Sequence, residues 1–113
     1  MSEQTEKSLE KYVQEFETCR RELREIGFIL TGSITKHYTK CRSPSCRCMK
    51  DPGYRHGPYY DWTRKVKGKT VTVRLSQEEA DILKEWIENK KEFYEIIKRM
   101  EMITLEAVKE IRV

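Results

Sequence analysis

The chain has 113 residues, of which 37% are hydrophobic and 37% are charged, and its formal net charge at pH 7 is +4. This length fits a single domain, but so large a charged share leaves little apolar material for a globular core. The fold therefore needs a stabilising cross-link, a partner chain, or a helix-rich shape that buries only a narrow apolar stripe. No apolar run reaches the length of a membrane span, and residues 1–11 are polar where a secretory signal would be basic and then apolar. We therefore expect a cytoplasmic protein that does not enter a membrane.

The first predicted element is a helix over residues 3–26. Its apolar side chains recur every seven residues, with a second set offset by three, which is the spacing of an a/d packing stripe. The stripe comprises Leu9, Phe16, Leu23 and Leu30, together with Tyr12, Cys19 and Ile26. We expect Gly27 and Gly32 to end this helix, because glycine adopts a left-handed cap without steric cost.

The middle of the chain is positively charged. Residues 33–75 contain eleven Lys and Arg against two acids, so this segment carries +9, and the flanks together carry 4 minus 9, or −5. A segment of this charge is typical of a surface that binds a polyphosphate. The alternative is an ordinary solvated surface with a local charge imbalance.

The same segment contains a cluster of soft metal ligands in the pattern Cys41-x4-Cys46-x-Cys48-x7-His56, surrounded by turn-forming residues. Structural zinc takes four N or S ligands in a tetrahedron, and short loops bring such ligands round one ion. In a reducing compartment, cysteines serve more often as metal ligands or free thiols than as disulfides. His37 is the alternative fourth ligand, whereas Cys19 belongs to the helix stripe.

The zinc pattern does not favour catalysis. A catalytic zinc keeps an open position beside a general base, and Asp51 and Asp61 are the only acids in the segment. Redox chemistry favours C-x-x-C, whereas Cys46 and Cys48 are separated by one residue. We therefore expect no enzyme activity.

The rest of the basic segment predicts β-structure. Residues 59–66 and 69–75 flank Lys67-Gly68, a turn pair typical of a hairpin, and residues 33–40 are the candidate third strand. A two-residue turn pairs Tyr60 with Leu75, Trp62 with Val73, and Arg64 with Val71 on an apolar face. The polar face then pairs Asp61 with Arg74, Thr63 with Thr72, and Lys65 with Thr70. A bulged three-residue turn would shift this pairing by one residue.

A long second helix is predicted to begin after Ser76. The sequence Ser76-Gln77-Glu78-Glu79 is a capping box, and the heptad pattern that follows extends for about 30 residues. Its stripe comprises Trp86, Phe93, Met100 and Ala107 with Ile96 and Ile103, and it is widened by Leu83, Ile87, Ile97, Val108 and Ile111. We expect the sheet to pack near Ile82 and Trp86.

Two heptad stripes favour an antiparallel helical hairpin, since packing keeps both apolar faces out of water. The second stripe is wider than the first, which favours a homodimer through the C-terminal helix.

Two resemblances add to this interpretation. Gly32-Ser33-Ile34, the cysteines and His56-Gly57-Pro58-Tyr59-Tyr60 resemble a family of small uncharacterised prokaryotic proteins that share a Cys, Cys-x-Cys, His-Gly-Pro-Tyr-Tyr pattern; that family brings no activity with it. More loosely, Gly32-Ser33-Ile34, residues 60–66, Gly68-Lys69 and Glu78-Glu79-Ala80 are similar to integrase arm-binding domains. That resemblance implies a three-stranded sheet laid in the major groove of DNA, although those domains lack the cysteine insertion.

The predicted fold is α+β, with a long antiparallel helical hairpin and a central zinc-stabilised β-hairpin or three-stranded sheet. It forms one domain over residues 1–113, divided into a helix (1–30), a basic zinc and β head (31–75) and a second helix (76–113).

The predicted function is that of a zinc-containing protein that binds nucleic acid, with duplex DNA favoured over RNA and a nucleoid-associated location in the cytoplasm if it binds DNA. The expected phosphate contacts are Lys36, Lys40, Arg42, Arg47, Arg55, Lys65, Lys67, Lys69 and Arg74, and the expected groove contacts are Thr63, Arg64 and Thr72. The alternative is a zinc-stabilised adaptor module whose basic head docks on an acidic protein.

Overall fold

The computed structural model describes residues 1–40 and 43–112. Its order of elements is α1 (Glu3–Glu25), β1 (Ser33–Thr39), β2 (His56–Val66), β3 (Lys69–Leu75) and α2 (Gln77–Ile111). Two short 3-10 helices, Arg47–Met49 and Pro52–Tyr54, lie between β1 and β2. The prediction of an α+β protein is therefore confirmed. Over the described ranges, neither helix is long and apolar enough to cross a bilayer.

The chain divides into two compact units. The helical unit comprises Met1–Ile29 and Glu88–Val113, and the sheet unit comprises Leu30–Ile87. Helix α2 contributes residues to both units.

In the helical unit, α1 runs antiparallel to α2. The Tyr12 hydroxyl in the middle of α1 donates to Glu110 Oε1 near the end of α2 at 3.2 Å, and Arg99 Nη2 donates to Glu22 Oε2 near the end of α1 at 2.7 Å. The carboxylate of Glu22 raises the pKa of Arg99. A later position on α1 therefore pairs with an earlier position on α2, as in an antiparallel helix pair.

The heptad stripes form the core of the helical unit. Cys19 is 1% exposed and Ile96 is 3% exposed, and the other predicted heptad positions of this unit are half-buried. Ile97, Val108 and Ile111, which widen the second stripe, are exposed.

The predicted helix over residues 3–26 matches α1 to within one residue, since α1 ends at Glu25. The predicted left-handed glycine cap is wrong: Ile26 is extended (φ −74°, ψ 131°), and Gly27 does not have a positive φ. Because an extended residue already turns the chain, no left-handed cap is needed there.

The sheet has the strand order β1-β2-β3, and all neighbours are antiparallel. The predicted two-residue turn is confirmed, since Lys67 (φ 51°) and Gly68 (φ 80°) both take the positive φ of a type I′ turn. The six predicted β2–β3 pairs are also confirmed, from Tyr60 with Leu75 to Lys65 with Thr70. Alternation along the strands then separates an apolar face from a polar face.

Helix α2 begins with the predicted capping box. The backbone N–H of Glu79 donates to Ser76 Oγ at 3.1 Å, and the Ser76 N–H donates to Glu79 Oε1 at 2.9 Å. These bonds favour the charged carboxylate, so they lower the pKa of Glu79.

The first turns of α2 pack in the sheet unit through Ala80 and Ile87, which are 2% and 9% exposed. Ile82 is 41% exposed, so its predicted place in this core is wrong. Two residues along a helix correspond to about 200° of rotation, which turns Ile82 away from the side that Ala80 buries.

Both tryptophans of the chain are anchored within the sheet unit. Trp62 Nε1 donates to the carbonyl of Thr31 at 3.0 Å, and the Trp86 carbonyl accepts the Leu30 N–H at 3.1 Å. A Cβ built on Gly32 (φ 128°) would collide with Trp62 Nε1, so glycine at this position lets the backbone approach the indole.

Candidate metal centre and nucleic-acid interface

The segment between β1 and β2 folds as a run of tight turns. The Asp51 N–H donates to the Arg47 carbonyl at 3.1 Å, and the Tyr54 N–H donates to the Asp51 carbonyl at 3.0 Å. The Asp51 carboxylate accepts the Gly53 N–H at 2.9 Å. Aspartate and glycine favour such turns, and here they fix the backbone between Cys48 and His56.

The fold brings two of the predicted zinc ligands together. Cys46 Sγ lies 3.3 Å from His56 Nε2, and both side chains are half-buried. His56 is the first residue of β2 and pairs with Thr39 at the end of β1. Zinc bonds of about 2.3 Å to sulfur and about 2.05 Å to nitrogen in a tetrahedron place the two ligand atoms about 3.6 Å apart. The observed separation is close to that value, and it also suits a hydrogen bond between thiol and imidazole.

The positions of the two remaining predicted ligand side chains are not described. Cys41 lies outside the described residues, and the side chain of Cys48 is also outside what the structure describes. Among the side chains that are described, no three Cys, His, Asp or Glu converge as a metal group would. Zinc binding therefore stays a prediction.

His37, the alternative ligand, lies on the polar face of the sheet. Its Nε2 is 3.2 Å from Asp61 Oδ2, although that nitrogen has no aligned hydrogen-bond partner. Asp61 also accepts a hydrogen bond from Arg74 Nε at 2.8 Å, and the Arg74 guanidinium lies 4.4 Å above the Tyr59 ring. Asp61 is the single acid within the three strands, and these contacts place it between Arg74 and His37 of the same sheet.

The predicted nucleic-acid contacts fall into three places. Thr63, Lys65, Thr72 and Arg74 share the polar face, where the Thr63 and Thr72 hydroxyls lie 3.2 Å apart. Lys67 and Lys69 lie at the β2–β3 turn, and Lys40, Arg47 and Arg55 are exposed beside the cysteine loop. Arg42 lies outside the described residues.

Two predicted contacts lie on the apolar face instead. Lys36 lines a small cavity of about 110 Å³ with Tyr60 and Ala80. Arg64 is half-buried with its guanidinium 3.9 Å from the Trp62 ring, and its Nη1 is buried without a hydrogen-bond partner. The structure therefore does not bring Arg64 together with Thr63 and Thr72 as one groove-contacting set.

Two cation–aromatic stacks were not anticipated from the sequence. Arg74 over Tyr59 follows from the predicted register, because Tyr59 is two residues from Asp61, the partner of Arg74. Arg47 lies 4.3 Å above the Tyr54 ring across the irregular loop, where no periodic pattern signals a contact.

The fold defines a class: a small α+β chain with a three-stranded antiparallel sheet, a Cys/His loop between two strands, and a capped long helix. A family model described as "Domain of unknown function (DUF6788)" matches residues 3–85. The match covers most of the chain, so the chain belongs to this family, and the expected membership of an uncharacterised family is confirmed. Neither the curated proteins nor the solved structures contain a match to the chain.

Proposed function

We propose that this chain is a zinc-containing protein that binds duplex DNA through the sheet unit. The observation that carries the proposal is a group of exposed cations at the β2–β3 turn: Lys65, Lys67 and Lys69. Within residues 1–40 and 43–112, none of these lysines has an acidic partner. Cations of the helices such as Arg20, Arg99, Lys91 and Lys109 do have one. Unpaired cations gathered at one end of a sheet are what a phosphate backbone attracts.

The polar face adds hydrogen-bonding groups without adding negative charge. Thr63 and Thr72 carry hydroxyls that can bond phosphate oxygens, and Asp61 is already bound to Arg74. The face is therefore positive and rich in hydroxyls.

Duplex DNA fits this surface better than duplex RNA. The major groove of B-DNA is about 12 Å wide and admits a β-ribbon, whereas the major groove of A-form RNA is too narrow for side chains to read. A β2–β3 hairpin with lysines at its turn suits the wider groove.

Zinc has a structural role in this proposal. Cys46 and His56 supply one sulfur and one nitrogen donor, and Cys41 and Cys48 complete a set of four with no open position. Such a site closes a loop that has little apolar material of its own, and it supplies folding free energy rather than chemistry.

The proposal is tested by the salt dependence of binding. Affinity for a random duplex should fall linearly in log salt, with a slope of about −0.9 for each phosphate neutralised. Lys67→Ala should flatten the slope by about one unit. Asp61→Asn should steepen it by a similar amount, because it frees Arg74 for a phosphate. Asp81→Asn on α2 is the control, since it makes the same charge change away from the polar face.

A zinc-loaded protein that binds no duplex at low salt would contradict the proposal. That result would favour the adaptor module, in which the same cations dock on an acidic protein.

We also propose that two copies associate through α2. Tyr94, Ile97 and Leu105 are 58%, 38% and 53% exposed, and Val108 extends the same side of the helix. The stripe that packs on α1 lies on another side, where Ile103 and Ala107 line a groove with Leu9. A second copy of the chain would cover the exposed stripe, since it carries the same apolar spacing.

A further inference from the structure

We infer that the cysteine loop carries a stacking site for an unpaired nucleotide, formed by the Arg47 guanidinium and the Tyr54 ring. The inference rests on the proposed binding of nucleic acid, and it names a substrate: a duplex that continues into a single-stranded tail.

The pair has the geometry of a stacking platform. The Arg47 guanidinium lies 4.3 Å from the centroid of the Tyr54 ring, and Tyr54 is 48% exposed. Proteins that bind single-stranded nucleic acid combine exposed aromatic rings with cations in this way, because bases stack on the ring while the cations neutralise phosphates.

The backbone holds this pair in place before any ligand arrives. The Arg47 carbonyl accepts the Asp51 N–H at 3.1 Å, and the Tyr54 N–H donates to the Asp51 carbonyl at 3.0 Å. The Asp51 carboxylate is occupied by the Gly53 N–H at 2.9 Å, so it is turned toward the loop backbone. A preorganised platform loses little entropy when a base stacks on it.

The chemistry of the platform selects an unpaired base of any sequence. Tyr54 covers one side of the guanidinium plane, and the other side can stack on a nucleobase, because every base has a π-face. Lys50 and Arg55 are exposed close by in the chain and can neutralise the adjoining phosphates. A paired base inside a duplex has no free face to offer.

The length of β2 relates this site to the lysine turn. From His56 to Lys65 the strand covers about 30 Å at about 3.3 Å per residue. About nine base pairs span that distance at about 3.4 Å each. A duplex held at Lys65, Lys67 and Lys69 can therefore deliver its unpaired end to Arg47.

The test compares a blunt random duplex with the same duplex carrying a six-thymine tail, at either the 5′ or the 3′ end, by fluorescence anisotropy on the full chain. One tail should tighten binding by about tenfold, the size expected for one stacked base. Tyr54→Leu should remove that gain and leave blunt-duplex affinity unchanged, whereas Tyr54→Phe should keep it. Arg47→Lys retains the charge without the plane, so it should also lose the gain.

The matched control is Tyr94→Leu, which removes a similarly exposed tyrosine (58%) with a lysine Nζ 5.5 Å from its ring, on α2. Leucine keeps the apolar character of the proposed stripe on α2. It should leave the tail gain intact. Equal affinity of the unaltered protein for blunt and tailed duplex, or a gain that survives both Tyr54→Leu and Arg47→Lys at unchanged zinc content, would overturn the inference. If the protein binds tailed DNA but not blunt DNA, the stacking site is supported and the proposed binding of duplex DNA is contradicted. If it binds neither, both proposals are contradicted.

Discussion

At the scale of single residues, the cysteines of this chain differ by their surroundings. Cys19 is 1% exposed among helix side chains, whereas Cys46 is half-buried with an imidazole nitrogen 3.3 Å from its sulfur. A thiol with a nitrogen donor at that distance is suited to a metal, and a thiol in an apolar core is not.

We therefore predict that Cys46→Ser and His56→Ala each abolish zinc retention, and that Cys41→Ser and Cys48→Ser do the same. The unaltered protein, purified without chelator, should contain about one zinc per chain by elemental analysis, since one tetrahedral site uses all four ligands. Cys19→Ser is the control and should retain the full amount. Absence of zinc from the unaltered protein would contradict the site, and loss of zinc from His37→Ala but not His56→Ala would reassign the fourth ligand.

The binding residues could be predicted from the sequence only in part. Charge counting identified Lys65, Lys67 and Lys69, which the structure places together at an exposed turn. Charge counting also placed Arg64 among the groove contacts, although the predicted register already put it on the apolar face, where its guanidinium stacks on Trp62. The Arg47–Tyr54 stack depends on loop turns that carry no periodic signal.

At the scale of elements, the most predictable features were those with a local physical cause. The Lys67-Gly68 turn fixes the β2–β3 register, and heptad spacing fixes the packed side of α1. The predicted glycine cap at Gly27 was wrong, because a glycine is compatible with a left-handed cap but does not require one.

The start of α2 provides a prediction at this scale. Ser76→Ala should destabilise the protein by about 1 kcal/mol in urea unfolding at pH 7, because the Glu79 N–H loses its acceptor. Ser8→Ala, inside α1, is the control, since its hydroxyl bonds only the Gln4 carbonyl within the helix.

The same cap sets a pH dependence. The folded-state pKa of Glu79 is lowered, so the folded chain favours the ionised carboxylate. Its stabilising effect is complete above the ordinary glutamate pKa of about 4.3 and is lost as the pH falls through the lower folded-state pKa. Glu79→Gln should thus be destabilising at pH 7, and the difference from the unaltered protein should shrink at pH 3. A difference that stays constant with pH would contradict this account.

At the scale of the whole molecule, the exposed stripe on α2 predicts self-association. Ile97→Glu should produce monomers in sedimentation experiments at tens of micromolar, because a buried carboxylate without a partner opposes packing of the two stripes. Met102→Glu is the control: Met102 is 56% exposed on the same helix but lies about 140° around it. An unaltered protein that sediments as a monomer at this concentration would contradict the dimer.

The anchoring of both tryptophans in the sheet unit has a spectroscopic consequence. Trp62 and Trp86 are the only tryptophans in the sequence, and both lie in the sheet unit. Tryptophan fluorescence therefore reports on the sheet unit and not on the helical unit. The far-ultraviolet circular dichroism signal comes chiefly from the 23 and 35 residues of α1 and α2. The two optical signals therefore follow different parts of one chain. A titration with chelator that shifts the emission while ellipticity at 222 nm stays level would show, without labels or truncation, that the sheet opens before the helices melt.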